Sequence, residues 1–286
     1  MFQKHSLAKK IMSVAGVAIL SSSALFMTGC ETKRPEAEID ISFNGTTYTV
    51  SYQLYRNLYP QTVRHFVELA ESGYYDGLCV HNYTTATLYT GGYTYNAEQT
   101  TAGGLTEKNY FSIAPTLNLT SSVFDSASKQ TTYTLYGEFT DNGYKVSNNA
   151  QTQKFGSLVM YYTPKDGDNT RVTVTRSSDG ENAENKHYKY NSATSLFYIF
   201  TGVSGSNNSS YCTFGQLLND DAKKALENLQ SAIEDYVDTL GETSFTEEVT
   251  VRVDSSDPYV AAEKTMMTYQ VPTMPIIVEA VRITKY

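Results

Sequence analysis

Pro60-Gln61-Thr62-Val63-Arg64-His65-Phe66-Val67-Glu68-Leu69-Ala70, followed by Gly73-Tyr74-Tyr75-Asp76-Gly77-Leu78-Cys79-Val80-His81-Asn82 and then Gly91-Gly92, is the stretch that decides the fold. Val63, Phe66, Leu69 and Ala70 fall at the spacing that puts apolar side chains on one face of a helix. Pro60 and Thr62 suit its start, and Gly73 stands where a glycine in the left-handed conformation ends a helix. Asp76-Gly77 predicts a tight turn, and Leu78-Cys79-Val80-His81 predicts an extended run leaving it.

Upstream, Ile39, Ile41 and Phe43 alternate with polar residues, Asn44-Gly45 turns the chain, and Tyr48, Val50, Tyr52 and Leu54 alternate again. That pattern predicts a two-stranded hairpin. The composition agrees with a mainly β protein, since 24 Tyr and many Thr and Val fit pleated surfaces.

In this order, these residues resemble the cyclophilin family of peptidyl-prolyl isomerases. Further blocks carry the resemblance: Tyr133-Thr134-Leu135-Tyr136-Gly137-Glu138-Phe139, Phe155-Gly156-Ser157-Leu158-Val159-Met160, Asn191-Ser192-Ala193-Thr194-Ser195-Leu196-Phe197-Tyr198-Ile199, Tyr211-Cys212-Thr213-Phe214-Gly215, and Ile276 to Ile283. Between them, residues near 93–130, 164–190 and 238–270 read as insertions at loop positions, which long surface loops tolerate at little entropic cost. Residues 220–236 read as a second helix, with Ala225, Leu229, Ala232, Ile233 and Tyr236 on one face. The resemblance implies a closed antiparallel β-barrel capped by two α-helices, over residues 39–286.

The family's chemistry is rotation about an X-Pro bond, against a barrier near 20 kcal/mol. Family members favour the twisted state with an arginine that donates to the imide nitrogen, beside an apolar pocket for the proline ring, with no covalent step. Carried over position by position, His81 matches the histidine of the signature and Asn82 stands in place of the arginine. Thr87 and Leu88 replace the aromatic and Met of the pocket floor, and Thr90 replaces the glutamine. Tyr161, Leu196, Tyr198 and Tyr211 stand at further groove positions, while Phe66, Gly73, Gly77, Met160, Phe197, Phe214 and Gly215 keep the scaffold. Asn carries no charge and is too short to copy a guanidinium fork. The expectation is a cyclophilin scaffold with weak or lost isomerase activity, an inert peptide-binding or chaperone module on the same barrel, or an envelope interaction lipoprotein whose insertions, not the groove, carry function. Arg171 and Arg176, in the second insertion, are the cations that could reach back to the groove. Tyr83, Tyr89, Tyr93, Tyr95 and Tyr162 join the groove tyrosines as contact area for a peptide or glycan.

The first 29 residues read as a leader. Lys4, Lys9 and Lys10 precede an uncharged apolar run from Ile11 to Met27, and Met27-Thr28-Gly29-Cys30 has the form of a bacterial lipobox. Cleavage before Cys30 with lipidation of its thiol is expected, leaving residues 30–38 as a tether to the membrane. The competing reading is an uncleaved helix, which at about 17 apolar residues is at the short limit for spanning a bilayer. Three of the 22 Lys and Arg lie in the leader against none of the 30 acids, so 19 basic residues face 30 acids beyond it, a balance of −11. So acidic a chain, without a basic run, does not suit nucleic acid or anionic lipid. Cys79 and Cys212 remain, as buried thiols or as a disulfide. No spacing of Cys and His suggests a metal site, and no cofactor motif is present. The leader implies an extracytoplasmic, membrane-anchored protein, and the resemblance implies a monomer acting on proline-containing segments of exported proteins.

Overall fold

The computed structural model describes residues 33–99, 102–121, 124–125, 130–131, 133–140, 144, 151–161, 171–175, 183–187, 192–203, 205, 211–253 and 265–286. The expected leader, its lipobox with Cys30, Tyr162 and Arg176 lie outside these residues, and for Arg171 only the backbone is described.

Strands β1 (Glu36–Phe43) and β2 (Thr46–Leu54) form the expected hairpin, with Ile39 opposite Val50 and Ile41 opposite Tyr48. Asn44 and Gly45 both take positive φ, 47° and 80°, the geometry of a two-residue turn that matches strand twist. Glu36, Ala37 and Glu38, counted above as tether, already belong to β1, because alternation of buried Ala37, Ile39, Ile41 and Phe43 starts there.

Helix α1 (Pro60–Glu71) carries Pro at its first turn and buries Val63, Phe66, Val67, Leu69 and Ala70. No side chain of its own caps it; the buried carboxylate of Glu138 accepts from the backbone N–H groups of Gln61 (3.1 Å) and Thr62 (2.9 Å). An anion there meets both orphan donors and the positive end of the helix.

The chain then runs through β3 (Leu78–Cys79), β4 (Asn82–Thr84), β5 (Thr87–Thr90), β6 (Tyr93–Tyr95), β7 (Leu105–Glu107), the single-turn helix α2 (Tyr110–Ile113), β8 (Phe124–Asp125), β9 (Gln130–Thr131), β10 (Leu135–Tyr136) and β11 (Ser157–Met160). After these come β12 (Arg171–Thr175), β13 (Ala183–His187), β14 (Ser192–Ala193), β15 (Phe197–Phe200), β16 (Cys212–Leu217), helix α3 (Asp220–Leu240), β17 (Thr246–Val253), β18 (Thr265–Pro272) and β19 (Ile276–Lys285). Two helices were expected and α2 makes a third. One turn, held by Asn109 accepting from Ser112 N–H, leaves no apolar period to read.

Eleven strands form one antiparallel sheet in the order β4-β5-β15-β11-β16-β2-β1-β19-β3-β6-β7. It curls, because inward side chains from its two halves meet in one core. Phe66 of α1 lies 5.4 Å from the ring of Phe197 on β15 and 5.1 Å from that of Phe214 on β16. Helix α3, capped by Asn219 accepting from Ala222 N–H, packs Leu226, Leu229 and Ile233 into the same core against β1, β2 and β16. The first and last strands lie side by side: β19 pairs along all of β1, with Arg282 bonded to Asp40 and Glu38, and Lys285 to Glu36 (2.7 Å).

All three insertions contain strands, and β8 and β9 of residues 93–130 join β12 and β13 of residues 164–190 in a four-stranded sheet. β6 and β7, in residues 93–130, extend the main sheet; β17 and β18, in residues 238–270 and just beyond, form a separate hairpin. They meet in a second apolar cluster of Cys79, Tyr93, Leu105, Val249, Tyr269 and Val271. Both described cysteines are buried thiols, Cys79 in this cluster and Cys212 in the main core. Among the described residues no helix is long and apolar enough to cross a membrane.

Candidate functional site

The run from Leu78 to Thr84 positions the candidate groove. At Cys79 it stands opposite Ile277 of β19, and the Val80 N–H still donates to Ile276 (2.8 Å); one residue on, the His81 N–H donates to Tyr89 (3.0 Å) and the chain has crossed to β5. Asn82 then stands opposite Tyr89, Tyr89 opposite Tyr198, and Tyr198 opposite Val159. Residues opposite one another on an antiparallel ladder share a face. Asn82, Tyr89, Tyr198 and Val159 therefore line one face of the sheet, turned away from the main core.

That face is aromatic. The Tyr89 and Tyr198 rings lie 4.8 Å apart at 42°, Tyr161 meets Tyr89 edge-on at 6.3 Å, and Tyr211 meets Tyr198 edge-on at 6.4 Å. Burial pushes the phenols of Tyr89, Tyr161 and Tyr198 above their ordinary pKa, so all stay neutral donors. The packing is tight: Tyr198 is 3% exposed and Val159 fully covered, whereas Tyr211 is 39% exposed at the rim.

The structure thus brings together Asn82, Tyr161, Tyr198 and Tyr211 of the residues expected from sequence, with Thr87 beside them on the part-exposed side of β5, its hydroxyl 2.6 Å from that of Thr84. Leu88 and Thr90 lie elsewhere. Strand side chains alternate, and β5 turns both inward: Leu88 joins the main core, and the Thr90 hydroxyl donates to the Cys79 carbonyl (2.9 Å). Leu196 lies against Gly92, where a β-carbon would meet its Cδ2 at 2.6 Å. Gly91 has φ +99°, and a β-carbon there would sit 2.3 Å from the Ser195 carbonyl oxygen, so this turn requires glycine.

The Asn82 side chain is tethered through its oxygen. Its Oδ1 accepts from the backbone N–H of Gln270 on β18 (2.9 Å), which ties the β17–β18 hairpin to the groove. Beside it, His81 is buried between the rings of Tyr93 (4.8 Å) and Tyr269 (4.9 Å), and its Nδ1 has no hydrogen-bond partner among the described residues. Desolvation lowers its pKa to about 3. Tyr269 and Gln270 were not foreseen at this site. The alternation of Met267, Tyr269 and Val271 with polar residues was the signal that could have found their strand.

A family model described as cyclophilin type peptidyl-prolyl cis-trans isomerase/CLD matches residues 39–253. Among solved structures, the cyclophilin type peptidyl-prolyl cis-trans isomerase of Cryptosporidium parvum is similar at 14% identity, with a TM-score of 0.42, covering 88% of this chain and 99% of that one. The same protein in the presence of the dipeptide Ala-Pro is similar at 15% identity and a TM-score of 0.41, with the same coverage. No curated protein matches the chain. With the matched region reaching from the β1–β2 hairpin, through α1 and the groove, to the end of β17, the chain belongs to the cyclophilin type peptidyl-prolyl cis-trans isomerase family.

Proposed function

We propose that this protein is an exported cyclophilin, anchored to a bacterial membrane through lipidated Cys30, that holds X-Pro segments of extracytoplasmic proteins as a monomer and isomerises them slowly. The observation that carries the reading is Asn82. It stands where the family places its arginine, and its amide oxygen is engaged by Gln270 N–H. No cation can reach the imide nitrogen from this position, and losing such a transition-state donor costs about 10²–10³ in rate. The run 78–84, bonded to β19 at one end and to β5 at the other, supports a barrel closed across Val80 and His81. The residues near 93–130, 164–190 and 238–270 are read as insertions in one domain over 39–286. The lipobox supports the anchor, since dual or multiple acylation gives stable membrane attachment.

A protease-coupled assay on an Ala-Pro peptide tests the catalytic half: kcat/KM is expected about 10²–10³ below that of a cyclophilin with the arginine in place. Equal values would refute it. Titrating a proline peptide by amide NMR tests the binding half, with shifts expected at Asn82, Tyr89 and Tyr198.

A further inference from the structure

Tyr198 takes the place of the aromatic that walls the proline pocket, yet its own ring is covered. It faces outward on β15 and is still only 3% exposed. What lies over it is the ring of Tyr89, 4.8 Å away and tilted by 42°, with Tyr211 closing one edge and Tyr161 standing edge-on to Tyr89. The register sets which face Tyr89 occupies and beside which residues. Tyr89 stands opposite Asn82 on one side and Tyr198 on the other, between the former arginine position and the pocket wall. An X-Pro unit lying across those two positions must put its pyrrolidine ring where the phenol now stacks.

We propose that Tyr89 sets how tightly this groove holds a proline: its ring occupies the stacking place on Tyr198, and an X-Pro segment gains that contact only by displacing it. The inference rests on the peptide-binding reading above and assigns control of its affinity to one residue. Tyr89 lies outside the main core and is part-exposed, so shortening it opens the groove to solvent and leaves the interior intact. The uncovered Tyr198 face then offers a proline the stacking contact that aromatic platforms give.

The test compares the full native chain with Tyr89→Ala and Tyr89→Val, the second keeping a strand-favouring residue. The probe is a dye-labelled Ala-Ala-Pro-Phe peptide, followed by fluorescence anisotropy, with near-UV circular dichroism checking that each protein is folded. Both variants are expected to bind about fivefold or more tightly than the native chain, the size of one aromatic stacking contact. Equal affinity in all three overturns the role of Tyr89 and leaves peptide binding standing. Weaker binding by the variants also overturns it, since Tyr89 would then be a contact. Binding by none overturns both this inference and the reading beneath it.

Discussion

Replacing His81 with Phe should flatten the pH dependence of stability on the acid side by a calculable amount. The imidazole is held neutral by burial between Tyr93 of β6 and Tyr269 of β18, and its pKa falls from 6.5 to about 3. Both neighbouring phenols stay uncharged throughout, and the acid that bears on them is Glu107. Below pH 6.5 the unfolded chain takes up a proton at His81 that the folded chain refuses. His81 therefore adds no pH dependence above that pH and destabilises progressively as pH falls toward 3. The slope is about 1.4 kcal/mol per pH unit, so at pH 4.5 the loss is about 2.7 kcal/mol relative to neutrality. Buried His65, lowered to about 4 chiefly by desolvation, adds a similar slope, and the carboxylates add theirs; both are common to native and variant. Urea unfolding from pH 7.5 to 4.5 gives stability at each pH for both proteins. The difference between them should change by about 1.4 kcal/mol per unit below pH 6, in favour of Phe. At neutral pH Phe removes a nitrogen that lacks a partner among the described residues, offsetting its extra volume. Parallel curves would show that His81 protonates in the folded protein and that the burial argument is wrong.

Asn82→Ala removes the acceptor for Gln270 N–H and should cost about 1–2 kcal/mol, with faster amide exchange at Gln270 while β1 and β2 keep their protection. Glu138→Ala strips two charge-assisted bonds from the first turn of α1 and should cost about 1.5–3 kcal/mol by urea unfolding, with Glu138→Gln recovering part of it. Cys30→Ser should release the protein from the membrane fraction and abolish palmitate labelling; a variant that stays membrane-bound would favour an uncleaved apolar helix.

What could be read from the sequence, and what could not, follows from how far apart the partners lie. The β1–β2 hairpin, α1 and α3 announce themselves because each buries a face whose period is contained within the element. Residues 93–130 do not. Tyr93, Leu105, Tyr110 and Ala114 are buried singly on short pieces, and Tyr93 and Leu105 meet Val249, Tyr269 and Val271 from far along the chain. The groove was legible in part for a different reason. Motif matching located Asn82 and Tyr198, but the face that β5 presents depends on ladder register, and one position decides whether Leu88 or Tyr89 looks outward. Capture of Asn82 by Gln270 depends on a hairpin almost 190 residues downstream.

The pairing of β1 with β19 has a consequence for biogenesis. One edge of β1 is satisfied early, by β2, which follows within a few residues; the other waits for Ile276–Lys285. A nascent chain emerging N-terminus first must carry that edge bare, with its amides and carbonyls open to any passing strand, until residues 276–285 have been made. Contacts so distant in sequence also make for slow folding. Completion of the sheet is thus timed by Ile276–Lys285, and until that strand arrives the open edge of β1 is one that a holdase must shield.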